Sequence, residues 1–98
     1  MANYTVLEHK VIEKQRVKLA QRNLLTSYET ILDQLAENPF AHKHQMELLE
    51  PRHKKPKTYS MRINSQHRVV YTIDEATKTV KIWSAWTHYE KTVKKIKQ

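Results

Sequence analysis

The residues of this chain able to do chemistry gather from its midpoint onward: Glu47, Arg68, His88 and Tyr89. Together they suit the cutting of a phosphodiester without a metal. Such cleavage needs a base to take the proton of an attacking 2′-hydroxyl and an acid for the leaving 5′-oxygen. It also needs a cation for the charge that builds on phosphate. Glu or His can be the base, and His the acid. Arg suits the phosphate because its planar fork donates two bonds and stays charged. Each residue also has a plainer reading. A His at a strand end is commonly a surface or packing residue, and Arg68 can be a solvated or salt-bridged strand residue. Glu47 can pair with nearby lysines, while Tyr89, Trp86 and above all Trp83 can be ordinary core. His42, His44 and His53, with Glu47 as a fourth ligand, form a weaker constellation. That His-x-His spacing lies in a loop without a fixed second pair, and no metal is expected. The run RHKK, 52–55, is either a solvated face or a source of phosphate contacts from Arg52, Lys54 and Lys55, which would not specify sequence.

Composition narrows the field. A chain of 98 residues, 39% hydrophobic and 29% charged, is expected to fold as one globular domain with little margin. Eighteen Lys and Arg against ten acidic residues leave a net charge of +8, which favours a polyanionic partner. There is no cysteine, so disulfides and thiolate metal sites are excluded. There is also no glycine, which removes Gly-rich phosphate loops, dinucleotide fingerprints and nucleophile elbows. Chemistry must therefore come from side chains, and no cofactor is expected. No apolar run approaches the roughly 20 residues that span a bilayer, and the first residues lack a signal-peptide layout. A cytoplasmic location is the expectation.

The elements that must position the candidates follow from periodicity. Residues 4–8 read as a short first strand within 1–10. A helical hairpin fills 10–38, with helices over about 10–24 and 27–37. Its apolar stripe runs through Val17, Ala20, Leu24, Tyr28, Ile31 and Leu35. Thr26 to Glu29 fits a capping box at the second start, although one long helix would also satisfy the pattern. Asn38-Pro39 ends it. The segment 40–57 reads as a loop carrying the candidate base, with a short strand or turn near 46–49. Beyond it the period becomes two: 58–63, 67–73 and 79–87 are strands, the last two joined by the polar DEATKT hairpin. In the last strand Val80, Ile82 and Trp86 alternate with Lys81 and Ala85. A basic tail occupies 91–98. The expected fold is α+β: two N-terminal helices packed on one face of a mostly antiparallel sheet, the other face left for docking.

The ordered run YSMRINSQHRVVYTI (59–73), then VKIWSAWTHYE (80–90), resembles the YoeB/Txe branch of the RelE toxin superfamily. ENPF at 37–40 fits the same layout; the resemblance covers about 26–90 and is strongest in its last third. It implies a RelE-like fold and a ribosome-dependent endoribonuclease, an mRNA interferase acting in the ribosomal A site. It implies a cognate YefM/Phd-like antitoxin that wraps the toxin, and is compatible with a homodimer. Carried over by motif, Arg68 stabilises the phosphate, His88 is the general acid and Tyr89 positions substrate. The general base falls on Glu47, with Glu50 a rival because the loop differs in length. Arg62 would contact RNA. Two departures stand out: Glu50 where many relatives have lysine, and Met61 where some have a second arginine. Both are expected to remove positive charge from the RNA side.

Two other functions fit the same residues. A basic RNA- or ribosome-binding protein could block translation without cleavage, or the chain could serve chiefly as a corepressing subunit in a DNA-bound complex. Mapping new 5′ ends on stalled messages separates a nuclease from a blocker.

Overall fold

A computed structural model describes residues 3–49 and 57–86. The chain runs β1 (Thr5–Glu8), α1 (Ile12–Gln21), α2 (Leu25–Glu37), β2 (Glu47–Leu48), β3 (Thr58–Arg62), β4 (Arg68–Asp74) and β5 (Thr79–Ser84). The strands form one sheet in the order β1-β5-β4-β3-β2. Three of the pairings are antiparallel and β1 runs parallel to β5: the two-helix hairpin carries the chain from β1 at one edge to β2 at the other, and the meander from β2 to β5 brings it back beside β1. The α+β architecture is the one expected, with a short β2 inside the loop where a strand or turn was placed.

What separates the helices is Asn23, held at φ 59°. Leu24 N–H donates to the Leu19 carbonyl and Asn23 N–H to that of Ala20, the paired bonds of a Schellman motif with asparagine in the left-handed position. One long helix is thereby excluded. The expected capping box is not formed either. Helix α2 begins at Leu25 without a side-chain cap, and Thr26 lies inside it, its carbonyl accepting from Thr30 Oγ1.

The inward stripe is Tyr28, Ile31 and Leu35 on α2, as expected, but Ile12, Gln15 and Leu19 on α1. Val17 is 59% exposed and Ala20 also faces out. The break at Asn23 resets the helical phase, so a stripe carried through it as one helix falls on the wrong face of α1. A polar residue at the buried position 15 has a reason. Its Oε1 accepts from Ala85 N–H at 2.7 Å and its Nε2 donates to Ser84 Oγ at 3.3 Å, fastening α1 to the end of β5.

Met61, Val69, Tyr71, Val80 and Ile82 complete the core beneath the helices. Alternation breaks late in β5, where a bulge shifts its register between Val70 and Tyr71 of β4. Ser84 and Ala85 are both buried as a result, so Ala85 is a core residue and not the outward one expected. Trp83 emerges on the opposite face, half-buried, its Nε1 donating to Thr72 Oγ1 and its ring beside His9 and Lys81. It is not core. Met61 carries the converse correction. Fully buried against the helices, it removes no charge from the sheet face that bears Arg62.

A polar cluster ties β1 to the hairpin. Glu8 accepts from Tyr28 Oη at 2.5 Å and pairs with Arg16 at 2.9 Å, while Arg16 also reaches Glu29 at 3.3 Å. Burial alone would lower the Arg16 pKa, but the Glu8 carboxylate outweighs it and the net shift is upward. Burial first, then the bond to Glu8, push the Tyr28 phenol far above its ordinary range.

Candidate active site

Three of the candidate residues, Glu47, Arg62 and Arg68, meet on the sheet face opposite the helices, at the edge formed by β2, β3 and β4. Alternation along each strand sends Ser60, Arg62 and Arg68 to that face. Register sets their spacing. Glu47 lies opposite Ser60, and Arg62 lies opposite Arg68. Arg68 Nη2 comes within 3.7 Å of Glu47 Oε2, joining residues from two non-adjacent strands. The arginine side chain is 13% exposed and the carboxylate 52%, so the pair is loose and open to solvent on its acidic side.

Arg68 is held by more than this contact. Its Nε donates to Ser60 Oγ at 2.8 Å and its Nη2 to the Gln45 carbonyl at 2.6 Å. Arg62 donates from Nε to the Asn64 carbonyl at 3.1 Å and from Nη1 to Gln45 Oε1 at 2.7 Å. Gln45, Glu47, Arg62, Asn64, Gln66 and Arg68 line a shallow pocket of about 260 Å³. Two guanidinium groups can there receive an anionic oxygen while the one carboxylate takes a proton.

The turn between β3 and β4 is built by Asn64, whose Oδ1 accepts from the N–H groups of Gln66 and His67. His67 stacks on Trp86 with ring centroids 4.2 Å apart and donates from Nδ1 to the Trp86 carbonyl. The carbonyl can only accept, which fixes the proton on Nδ1. The end of the described part of the chain is thus fastened beside Arg68.

Of the expected site residues, the fold brings Glu47, Arg62 and Arg68 together. His88, Tyr89, Glu50, Arg52, Lys54 and Lys55 lie outside the described residues, as do His53 and the tail 91–98. His42 and His44 are exposed, and among the described residues no group of three or more His, Cys, Asp or Glu is placed to hold a metal ion. Sequence reasoning missed Gln45, Ser60 and His67. A serine two residues before Arg62 on a period-two strand gave a usable signal for Ser60. Gln45 gave none, because its position depends on a turn without glycine.

A second and larger groove, of about 890 Å³, runs past Leu7, Phe40, Lys57, Tyr59, Asp74 and Lys81, at the far end of β4 from Arg68. Among the described residues, no helix is long and apolar enough to cross a membrane.

No protein-family model matches the sequence, and no curated protein does. Solved structures do match. The YoeB–YefM complex from Staphylococcus aureus is 25% identical over 90% of this chain and all of that one, with a TM-score of 0.67. The YoeB dimer from the same organism is 23% identical over the same shares, with a TM-score of 0.68. The RelE toxin of E. coli, a double arginine-to-alanine mutant in its free state, is 20% identical over 98% of this chain and 99% of that one, with a TM-score of 0.69. On those likenesses and on its own topology, the chain has the fold of the RelE/YoeB toxin superfamily.

Proposed function

We propose that this chain is the toxin of a toxin–antitoxin pair and a ribosome-dependent endoribonuclease that cuts mRNA in the A site. In this reading Glu47 takes the proton of a 2′-hydroxyl, which attacks the adjacent phosphorus. The bond to the 5′-oxygen breaks, His88 gives that oxygen its proton, and the products are a 2′,3′-cyclic phosphate and a 5′-hydroxyl. Arg68 receives the charge that develops on the phosphate oxygens. Tyr89 positions the substrate, while Arg62, Arg52, Lys54 and Lys55 hold the RNA strand. Glu50 is the rival base. No cofactor enters.

The observation that carries the reading is the approach of Glu47 and Arg68 to 3.7 Å from separate strands, with Arg62 beside them. A base and a phosphate-binding cation are at the separation a nucleotide could bridge, and a net charge of +8 favours an RNA partner. The relative crystallised with YefM and the one crystallised as a dimer support a YefM/Phd-like antitoxin and a homodimer as partners.

Primer extension on messages in an in vitro translation reaction tests the reading. Wild type should create new 5′ ends within open reading frames, and Arg68→Ala and His88→Ala should create none while remaining folded. Alanine at Glu47 and at Glu50, tested separately, identifies the base. Translation arrest without new ends would mean a blocker and not a nuclease.

A further inference from the structure

Arg62 and Arg68 face each other directly across β3 and β4, an arrangement that repulsion disfavours. One residue outside both strands touches both of them. Gln45 accepts from Arg68 through its main-chain carbonyl at 2.6 Å and from Arg62 through its side-chain Oε1 at 2.7 Å. We infer that Gln45 is a positioning residue of the RNA site, presenting the two guanidinium groups side by side to successive phosphate oxygens. The inference rests on the nuclease reading above and adds to it a residue that acts through the arginines.

The backbone around Gln45 makes the same point. His44 and Gln45 have φ of 53° and 52°, and Met46 N–H closes the turn on the Lys43 carbonyl at 3.1 Å. Two positive φ values in succession are the signature of a type I′ turn, which ordinarily takes Asn-Gly. A chain without glycine adopts it here at a cost, so something must hold it. The bonds that hold it come from the arginine strands. Arg62 N–H donates to the His44 carbonyl at 2.6 Å, and Arg68 Nη2 to that of Gln45. Arginines and turn fix each other.

A neutral acceptor is the chemically apt choice. An amide oxygen orients a guanidinium without cancelling its charge, whereas a carboxylate at 45 would hold the arginines more firmly and compete with the phosphate. Arg62 donates from Nε and Nη1, and its Nη2 bonds no described residue, which leaves one arm of the fork for RNA.

The test is Gln45→Met, which keeps length and the main-chain carbonyl that holds Arg68 but removes the side-chain acceptor of Arg62, in wild-type and Arg62→Ala backgrounds. Cutting of ribosome-bound mRNA should fall roughly tenfold in kcat/KM in the first background and not at all in the second. Equal loss in both backgrounds would mean that Gln45 serves the fold generally, and no loss in either would mean that it serves neither; each result overturns the inference. Arginine side-chain NMR reads the contact without activity. Rotation of the Arg62 guanidinium should be slow in wild type and fast in Gln45→Met, and equal rates would also overturn it. A wild type that cuts no RNA defeats the nuclease reading and the inference with it. A wild type that cuts while Gln45→Met cuts as well defeats the inference alone.

Discussion

Two Arg–Glu pairs in this fold use the same chemistry to opposite ends. At the β1 edge, Arg16 and Glu8 are 2.9 Å apart, and Tyr28 and Glu29 take up further capacity of the pair. At the β2 edge, Arg68 and Glu47 are 3.7 Å apart, the arginine is braced by an uncharged serine and a carbonyl, and the carboxylate is half exposed. The first pair is consumed by its own cluster, which fastens β1, α1 and α2. The second keeps its arginine rigid and its carboxylate available. A saturated pair is structural; a braced cation beside an open carboxylate can act on a ligand.

The largest effect should separate the two by activity. Arg68→Ala should lower mRNA cutting by a factor of about 100 or more, the scale of losing a preorganised charge partner of a transition state. Arg16→Ala should leave cutting per folded molecule unchanged and lower the melting temperature instead. Parallel activity and thermal-denaturation measurements on both variants check this, and a comparable activity loss in Arg16→Ala would erase the distinction.

Alkaline titration sharpens it further. Burial raises the Tyr28 phenol, with help from Glu8, and burial followed by repulsion from Tyr59 raises the Tyr71 phenol. A raised folded-state pKa means stability that is complete below the unfolded value, near 10, and lost as pH rises beyond it. Each tyrosine should then remove up to about 1.4 kcal/mol per pH unit above roughly pH 10. Absorbance of phenolate against pH should show two of the five tyrosines ionising only as the protein unfolds. Titration of all five near pH 10 in folded protein would contradict the burial of these two.

Tyr28→Phe isolates the bond within the structural cluster. The hydroxyl donates to an ionised acceptor, a bond worth about 1.5–3 kcal/mol, while Glu8 keeps Arg16 as a partner and softens the loss. Urea denaturation should show a stability drop of about 1–2 kcal/mol, with no change in cutting. Tyr71→Phe makes the natural control: its hydroxyl is buried with no hydrogen-bond partner among the described residues, so its removal should be neutral or stabilising.

The contrast between the two pairs was unequally legible in the sequence. Strands β3 to β5 announced themselves by period-two patterning, and Arg68 and Glu47 by residue type. The structural cluster left no trace, because Glu8, Arg16 and Tyr28 come from three elements whose packing no local pattern encodes. Val17 and Ala20 were misread for a related reason. Their spacing matched α2's stripe, but the left-handed Asn23 rotates α1 relative to it. Trp83 looked like core by composition, but period-two alternation from Lys81 puts it on the other face, and the bulge alters the pattern only beyond it, at Ser84 and Ala85. Motifs carried the site; irregularities of backbone decided which face Val17, Ala20 and Ala85 serve.

Backbone irregularity also gives the smallest prediction. His44 takes a positive φ that costs a non-glycine residue about 1–2 kcal/mol, whereas glycine takes it freely. Glycine also enlarges the unfolded ensemble, at a cost of about 0.4–1 kcal/mol, so the two effects partly cancel. His44→Gly should therefore stabilise the protein by a net of about 0.5 kcal/mol, read as a small rise in urea midpoint. The His44 carbonyl that receives Arg62 N–H survives the change, so RNA cutting should be unaffected. The same substitution at Asn23, where asparagine already tolerates the left-handed region, should yield less. If His44→Gly instead destabilises or cuts RNA poorly, the imidazole itself contributes to the site. In that case the turn is held by a side chain and not by the two arginine strands alone.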